Sequence, residues 1–397
     1  MNKHVVRSCV AGLSISAAAL LFSVAVFEVG LRAYQRITQG IPFFKVQGTE
    51  EYLDGQAAAK GSSIIDSKLG WRPTPHYIFE GVERNSDGSE HPLLVTQESH
   101  GFRAFGDPMA ARPRVFVIGD SYTQAVEVSD DKTYYALLGE KLGAEVFAVA
   151  ARGYGTFQES LVLDQHFEEI KPDLVIWQFC YNDFMGNYYP LEMKWLAGSI
   201  GLERPYLEGE ALAYRIPKPY AWLLRLNRGV LRMVPFLATR WDRWLYRARD
   251  NNKDVLLEEI LSRGEGNADF ARSTKVTGRI FDRIRKRVDS IPVVMFEACT
   301  TAPVFHSAVA QLARSRGFYF VDELPATLDR ARASGVIVDS YDRVHFNERG
   351  HVLVADALER YLRGSKIPLP QSDRSDVVGT GQDTRGLFPP SSGGNDG

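Results

Sequence analysis

Short apolar runs alternate with helical patterns along the chain from residue 114 onward. An apolar run without intervening polar residues is typical of a strand that is buried on both faces of a parallel sheet. The apolar runs are Val115–Ile118, Val146–Val149, Leu174–Phe179, Pro292–Phe296 and Phe318–Val321. The helical patterns are Asp131–Leu142, Thr156–Ile170, Ala271–Val288, Val304–Arg316 and Glu348–Leu362. This alternation predicts an α/β fold, with a doubly wound domain over residues 112–364.

Polar segments follow the first three apolar runs, at the point where each predicted strand ends. They are Gly119-Asp120-Ser121, the segment 152–156, and Tyr181-Asn182-Asp183. In an open parallel sheet, ligands bind outside the carboxyl ends of the strands, where the strand order reverses. We therefore expect a five-stranded parallel sheet in the order 2-1-3-4-5, which brings the three polar segments to one edge.

Three further regions interrupt or flank this domain. Residues 32–111 contain turn signals and few periodic runs, which indicates an irregular, strand-containing extension. An insertion over about 184–267 interleaves aromatic residues with arginines, as in the segments 220–224 and 240–245. We expect a helical lid there, and a contact with a membrane surface is the alternative. The tail 365–397 is rich in Ser, Gly, Pro and Asp, which predicts disorder.

The N-terminus has the pattern of a targeting segment. Lys3 and Arg7 precede an uncharged, mostly apolar run from Ser8 to Phe27. Twenty helical residues extend about 30 Å, which is roughly one hydrocarbon core. We predict an N-terminal transmembrane helix over residues 1–31 that acts as a signal anchor. A cleavable signal peptide, with small residues near Ala25, remains the alternative. Either interpretation predicts an exported, extracytoplasmic catalytic domain, and the first predicts that the membrane is a partner.

Charge and cysteine content exclude several classes of function. The 397 residues carry a formal net charge of −2, which gives no indication of nucleic-acid binding. The three cysteines, Cys9, Cys180 and Cys299, are widely spaced, and their pattern predicts neither a disulfide framework nor a metal-ligand cluster. No other spacing suggests a zinc site, and the glycine-containing segment 153–155 lacks the lysine of a phosphate-binding loop.

The polar segments supply the parts of a nucleophilic site. A serine hydroxyl such as that of Ser121 is a weak nucleophile at neutral pH and needs an adjacent base. Asp342 and His345 lie three residues apart, so the carboxylate can accept from one imidazole nitrogen while the other takes the serine proton. Gly153 permits a close backbone N–H approach, and Asn182 offers a side-chain amide for a developing oxyanion.

At these residues the chain resembles the SGNH (GDSL-type) hydrolase family. The resemblance covers about residues 112–363 outside the insertion, with the blocks VIGDS, GYGT, YND and DRVH in the family's order. It implies a flavodoxin-like three-layer sandwich that needs no metal and no cofactor. The implied nucleophile is Ser121, the base is His345 and the orienting acid is Asp342. The implied oxyanion hole consists of the Ser121 and Gly153 N–H groups and the Asn182 amide. The N-terminal extension is similar to that of membrane-anchored bacterial members.

Two positions depart from the pattern of the family. Cys180 stands where the third block has a glycine, and Ala148 stands where an asparagine is often found. Neither change removes a catalytic group, so they affect the expected substrate and rate more than the chemistry. Gly155 is an alternative to Gly153 as the backbone donor.

The sequence therefore predicts a serine esterase that hydrolyses carboxylic esters through an acyl-enzyme. We expect O-acyl groups on an envelope or exported polysaccharide, or an acylated small molecule, as the substrate. An O-acyltransferase that acts on a glycan and a non-catalytic glycan-binding protein are the alternatives. Further polar residues near the blocks are expected to have structural roles, namely Asp120, Asp183, His166, His306, Arg343 and Asn347.

Overall fold

The computed structural model describes residues 3–39, 62–195, 202–217, 255–299, 302–365 and 367. Its strands, in chain order, are β1 (Ser63–Asp66), β2 (Gly70–Pro73), β3 (Ile78–Arg84), β4 (Glu90–Thr96), β5 (Ala104–Phe105), β6 (Arg114–Gly119), β7 (Glu145–Ala150), β8 (Leu174–Phe179), β9 (Arg204–Glu208), β10 (Ala211–Arg215), β11 (Val293–Glu297) and β12 (Tyr319–Val321). All five of the predicted buried strands are present, each within one or two residues of its predicted bounds.

The helices follow the strands in the alternation that the sequence predicts. In chain order they are α1 (Lys3–Gln39), α2 (Ser121–Gln124), α3 (Tyr134–Leu142), α4 (Thr156–Ile170), α5 (Tyr181–Asn187), α6 (Tyr189–Lys194), α7 (255–263), α8 (Ala268–Val288), α9 (Pro303–Arg314), α10 (Glu323–Ala333) and α11 (Glu348–Gly364). Short 3₁₀ turns precede α3 at Asp130–Lys132 and α8 at Gly264–Gly266.

The central sheet has six strands in the order β12-β11-β8-β6-β7-β5. Strands β6, β7, β8, β11 and β12 are parallel to their neighbours, and counted along the chain they lie in the order 2-1-3-4-5. The prediction of a five-stranded, all-parallel sheet is wrong in one respect, because β5 adds an antiparallel edge strand to β7. β5 has only two residues, so it contains no apolar run that a sequence pattern could reveal.

The sheet separates two layers of helices, which makes the domain a three-layer α/β sandwich. Phe116 and Val117 are neighbours in β6 but belong to different hydrophobic clusters, because successive side chains of a strand point to opposite faces. One cluster includes residues of α4, α8 and α9, and the other includes residues of α3, α10 and α11. β8 is buried at every position, as its continuous apolar pattern predicts.

The extension that precedes the sandwich contains two antiparallel hairpins, β1–β2 and β3–β4. The first hairpin packs onto the loop that follows β7. The indole of Trp71 is fully buried and donates a hydrogen bond to the carbonyl of Arg152 at 3.0 Å, and the Tyr154 hydroxyl donates to the Trp71 carbonyl at 2.7 Å. The extension therefore supports a loop at the carboxyl edge of the sheet.

The N-terminal apolar run lies within α1, which continues beyond the predicted 1–31 boundary to Gln39. Among the residues that the structure describes, no helix is both long enough and apolar enough to cross a membrane. The transmembrane anchor that the sequence predicts is therefore not shown.

The insertion is not wholly helical, contrary to the prediction. Between α6 and α7 the chain forms the antiparallel hairpin β9–β10, in which Arg204 faces Arg215 and Glu208 faces Ala211. β9 has the sequence RPYLE, in which three non-charged residues lie between two charged ones, so it contains neither a long apolar run nor an alternating pattern that would indicate a strand. The aromatic and arginine segments 220–224 and 240–245 lie outside the described residues, as does the tail from residue 368 onward.

Candidate active site

Ser121 lies at the carboxyl end of β6, where the chain turns directly into α2. Asp120 caps this helix, since its Oδ1 accepts a hydrogen bond from the Tyr122 N–H at 3.0 Å. The position before it requires glycine, because a Cβ on Gly119 would lie 2.4 Å from the Gln178 side chain. The tight turn presents the Ser121 hydroxyl at the edge of the sheet, with the residue 8% exposed.

A chain of hydrogen bonds joins Ser121, His345 and Asp342. His345 Nε2 lies 2.8 Å from Ser121 Oγ, across a sequence separation of 224 residues. The other ring nitrogen, Nδ1, contacts Asp342 Oδ2, while Asp342 Oδ1 accepts the N–H groups of Val344 and His345 at 2.9 Å each. In this geometry the imidazole can accept the serine proton through Nε2, because Nδ1–H is held by a carboxylate. The predicted juxtaposition of these three side chains is confirmed.

Asp342 and His345 each shift the pKa of the other. Burial opposes ionisation of Asp342, but hydrogen bonds and the charge of His345 outweigh it and hold the pKa of the carboxyl well below its usual range. Burial likewise opposes a charged His345 imidazole, but the charge of Glu127 and the hydrogen bond to Asp342 outweigh it. The pKa of His345 is therefore raised above its usual value.

The turn that carries the base is fixed at both ends by hydrogen bonds. The Ser340 N–H donates to the His345 carbonyl at 2.8 Å, and the Asn347 side chain caps α11 by accepting from the Gly350 N–H at 3.0 Å. Between them Arg343 adopts a left-handed backbone conformation, with φ of 56°. The expected structural role of Asn347 is confirmed, while the exposed Arg343 side chain lines the cavity described below.

Asn182 lies after the carboxyl end of β8, in the first turn of α5. Its Nδ2 donates to Asp120 Oδ2 at 3.3 Å, so the carboxylate orients the amide beside Ser121. Asp183 accepts the Cys180 N–H at 3.0 Å. The prediction that Asp120 and Asp183 hold loop backbones is confirmed, and both carboxyls are fully buried, which raises their pKa values.

The two candidate backbone donors of the second block face different surroundings. Gly155 donates its N–H to Gln158 Oε1 at 3.3 Å, and a Cβ there would lie 3.0 Å from Arg204. The Gly155 N–H therefore already has an acceptor in this structure. Gly153 has a left-handed φ of 76°, and its N–H has no acceptor among the residues that the structure describes. Gly153 is nevertheless absent from the lining of the cavity beside Ser121.

Cys180 and Cys299 form a disulfide, although the spacing of the cysteines predicted no disulfide framework. Their Cα atoms lie 5.3 Å apart although 119 residues separate them in sequence. The reason is topological: β8 and β11 are neighbours, so the residues after Phe179 and Glu297 meet at the same edge. The available signal was a cysteine directly after one predicted buried strand and a second cysteine three residues after another. The disulfide lines the cavity beside Asn182.

A cavity of about 520 Å³ opens in front of Ser121 and Asn182. Its lining includes the rings of Tyr181 and Trp195, whose centroids lie 6.0 Å apart. The lining also includes charged side chains, namely Asp329, Arg332, Asp339 and Arg343. The cavity therefore offers aromatic faces and polar groups to a bound molecule.

The remaining histidines that the sequence singled out have structural partners. His306 Nδ1 lies 2.8 Å from the buried Glu297 carboxylate, and the hydrogen bond and charge of Glu297 raise the pKa of the imidazole. The ring of His166 packs edge-on against Phe102 with centroids 4.9 Å apart. Both expectations of a structural role are confirmed.

Glu127 is a residue of the site that the sequence analysis missed. Its carboxylate is buried beside His345 and Asp342, and ligand-type atoms of these three residues lie within 4.8 Å of one another. Three ligand-type atoms this close together can bind a cation, but each of these residues already has a close partner. Arg152 contacts Glu127, and Asp342 contacts His345. No sequence motif identifies Glu127, because its contact with His345 arises only when distant parts of the chain pack together.

Residues 117–353 match the model of the GDSL-like Lipase/Acylhydrolase family. No curated protein has a sequence that matches the chain. Among solved structures, an α/β hydrolase from the metagenome of Lake Arreo, Spain, is similar, with 14% identity over 64% of this chain and 97% of that one and a TM-score of 0.36.

An acetylxylan esterase from Geobacillus stearothermophilus is also similar, with 14% identity over 66% of this chain and 98% of that one and a TM-score of 0.34. Another acetyl xylan esterase has 16% identity over 62% and 98% of the two chains, with a TM-score of 0.34. Similarities of this size do not establish a substrate for this chain.

Proposed function

The chain belongs to the GDSL-like Lipase/Acylhydrolase family, whose model matches more than half of its length, and on this premise we propose that it is an exported esterase that removes acyl groups from a sugar-like alcohol. Membership in this family makes the chain a serine ester hydrolase. The finer parts of the proposal concern the residues that act, the class of substrate and the compartment.

The hydrogen-bonded chain from Ser121 through His345 to Asp342 carries the proposal for the mechanism. The Ser121 oxygen attacks the ester carbonyl carbon while Nε2 of His345 takes the hydroxyl proton. His345 then returns this proton to the departing alcohol, which leaves an acyl group on Ser121. Water loses a proton to the same nitrogen, attacks the acyl-enzyme and releases the carboxylic acid, and the proton returns to Ser121.

The developing oxyanion needs donors that are fixed before the reaction, because fixed dipoles need not reorganise as charge develops. We assign this role to the Asn182 amide and to the N–H groups of Ser121 and Gly153. Asp120 supports the assignment of Asn182, since it anchors one Nδ2–H and leaves the other free to face the cavity.

The cavity supports a polar alcohol as the substrate. Aromatic rings such as Trp195 and Tyr181 have flat apolar faces, while the charged groups around Arg343 can hydrogen bond hydroxyls. A long acyl chain would require a mainly apolar lining. An acetyl-sized group on a glycan needs only a small apolar area. An O-acylated polysaccharide or oligosaccharide is therefore the proposed substrate class.

The disulfide and the N-terminal pattern support export. Disulfides persist in oxidising compartments and are rare where thiols are kept reduced. The Cys180–Cys299 bond lies at the edge of the site, and the apolar run in α1 follows Lys3 and Arg7, as in a targeting segment. Both observations agree with a catalytic domain that works outside the cytoplasm.

The test compares the full chain with its Ser121→Ala variant on esters of increasing acyl length and on an O-acetylated glycan. We expect release of acetate from the glycan and from short esters, and its loss in the variant. Preference for long-chain esters would contradict the proposed substrate class. Transfer of the acyl group to an added sugar, without free acid, would indicate an acyltransferase instead, and binding without turnover would contradict catalysis.

A further inference from the structure

We propose that Glu127 is a positioning residue that, together with Asp342, holds the Nδ1–H side of the His345 imidazole. The inference rests on the proposed function of Ser121 and His345 and assigns a second carboxylate to the base. Glu127 follows the nucleophile by six residues in the loop after α2, so it belongs to a different part of the chain from Asp342.

The geometry brings both carboxylates to the same nitrogen. Glu127 Oε1 lies 3.4 Å from His345 Nδ1, and Asp342 Oδ2 contacts the same atom more closely. The two carboxylates differ in their surroundings, because the Glu127 side chain is 8% exposed and that of Asp342 is 37% exposed. Water screens a buried charge less than an exposed one, so Glu127 acts strongly on the imidazole in spite of its longer distance.

Arg152 fixes the Glu127 carboxylate in this position. Its Nη2 donates to Glu127 Oε1, the atom that also faces His345. The Arg152 backbone is held in turn, since its N–H donates to Gln124 Oε1 at 2.8 Å and its carbonyl accepts from Trp71. The other carboxylate oxygen, Oε2, is buried without a hydrogen-bond partner, so the carboxylate depends on these contacts for its placement.

The charges that face His345 oppose one another. Glu127 and Asp342 favour the imidazolium, whereas burial and the Arg152 guanidinium disfavour it, and the pKa of His345 is raised by the balance. Two further titratable groups interact with the ring, namely Asp120 and His351. The Tyr122 ring packs against the imidazole, with the two ring centroids 5.1 Å apart. Burial raises the pKa of the Tyr122 hydroxyl well above its usual value, so this group stays uncharged.

The test follows the pH dependence of kcat/KM for a short ester in wild type and in Glu127→Gln. Protonated His345 cannot accept the serine proton, so the rate falls as pH decreases through its pKa. Removing the Glu127 charge lowers that pKa, and we expect the acid limb to shift to lower pH by about 1 unit, since an opposite charge within 4–6 Å shifts a pKa by about 1–3 units. An unchanged acid limb in a folded variant would overturn the proposal.

Arg152→Gln provides the opposite change. Loss of the guanidinium charge raises the pKa of His345, so the acid limb should shift to higher pH. A general loosening of the site cannot move the limb in opposite directions in the two variants. If Glu127→Gln does not fold, Glu127→Asp decides the matter, because its shorter side chain withdraws the carboxylate from Nδ1: a shift of the acid limb to lower pH supports the proposal and an unchanged limb overturns it.

Glu192→Gln is the matched control. Glu192 is also buried and paired with an arginine, since Arg204 Nη1 lies 3.0 Å from its Oε1, but this pair lies in the insertion. We expect this variant to be less stable, with its acid limb unchanged. Failure of the proposed function can be told apart from failure of the Glu127 proposal. In the first case wild type would show no ester hydrolysis that depends on Ser121, and no acid limb could be measured for any variant.

Discussion

The proposed nucleophile, Ser121, and the proposed base, His345, are held by two different kinds of structure. Ser121 follows a strand that is buried at every position after its first, and the polar groups behind it bond to one another, since the Asp120 N–H and the Thr123 hydroxyl both donate to Gln178 Oε1. The base lies on a surface turn in which the Val344 side chain and Arg343 are exposed and Asp342 is partly exposed.

Several contacts join these two regions close to Ser121 and His345. The Tyr122 hydroxyl donates to the Val344 carbonyl at 2.8 Å, and Glu127 faces His345 Nδ1 at 3.4 Å. The nucleophile is therefore placed by the core of the domain, while the base depends on local caps and on a few contacts from the nucleophile side. We expect substitutions in the first region to affect catalysis and folding together, and those in the second to affect mainly the rate.

The largest effect is expected where the two regions meet. His345→Ala removes the imidazole that lies at Ser121 Oγ, and we expect kcat to fall by about 10⁶-fold, as in other serine triads. Steady-state hydrolysis of a short ester measures the change, and the unfolding transition serves as a check that the variant folds. A loss smaller than about tenfold would show that His345 is not the base.

Asn182→Ala tests the nucleophile side alone. Loss of one oxyanion donor should lower kcat by about 10²–10³-fold, or about 2.7–4 kcal/mol of barrier, with little change in KM. Asn187→Ala is the control, because its side chain lies in the same helix but bonds to Thr156 and Thr277 instead. An equal loss of kcat in both variants would indicate a disrupted helix rather than a lost donor.

Removal of the disulfide should affect stability more than rate. The double variant Cys180→Ser and Cys299→Ser opens a loop of more than a hundred residues, and we expect the free energy of unfolding to fall by about 2–5 kcal/mol. Urea denaturation of oxidised wild type and the double variant measures the difference. Equal midpoints would show that the bond does not stabilise the nucleophile region.

The smallest effect is expected at the cap behind the base. Asn347→Ala removes the side chain that accepts from Gly350 N–H, which should cost about 1 kcal/mol of unfolding free energy and lower kcat modestly. Thr133→Ala is the matched control, since Thr133 caps α3 by accepting from the Ala136 N–H at 3.3 Å. A similar loss of stability with unchanged kcat is expected there, so equal kcat values in both variants would contradict a special dependence of the base on its cap.

The sequence predicts the parallel part of the fold because burial leaves a direct pattern. Leu174–Phe179 is apolar except for Gln178 and is buried at every position, so its nearly continuous apolar pattern identifies it as a buried strand. The edge strand Ala104–Phe105 could not be found in this way, because it is two residues long and half-buried. The hairpin over Arg204–Arg215 was also missed, since its strands carry charges at their ends.

The site residues likewise could be predicted from the sequence only where a local pattern identifies them. Ser121, Asn182 and the Asp342–His345 pair could be predicted because they lie in short local segments whose residue types carry the chemistry. The Cys180–Cys299 bond and the Glu127 contact depend on which strand ends become neighbours in space. A topology of 2-1-3-4-5 contains that information for the cysteines, but a loop residue such as Glu127 is placed only by its packing.

The phosphonylation of Ser121 by a fluorophosphonate, in which the serine oxygen displaces fluoride from phosphorus, tests the central claim most directly, namely that the core places the nucleophile and the surface turn activates it. Wild type and His345→Ala are treated with a fluorophosphonate, and peptide mass spectrometry measures the adduct over time. We predict rapid modification of Ser121 in wild type and modification slower by several orders of magnitude in the variant. Equal labelling rates in the two proteins, or an adduct on another residue, would contradict the account.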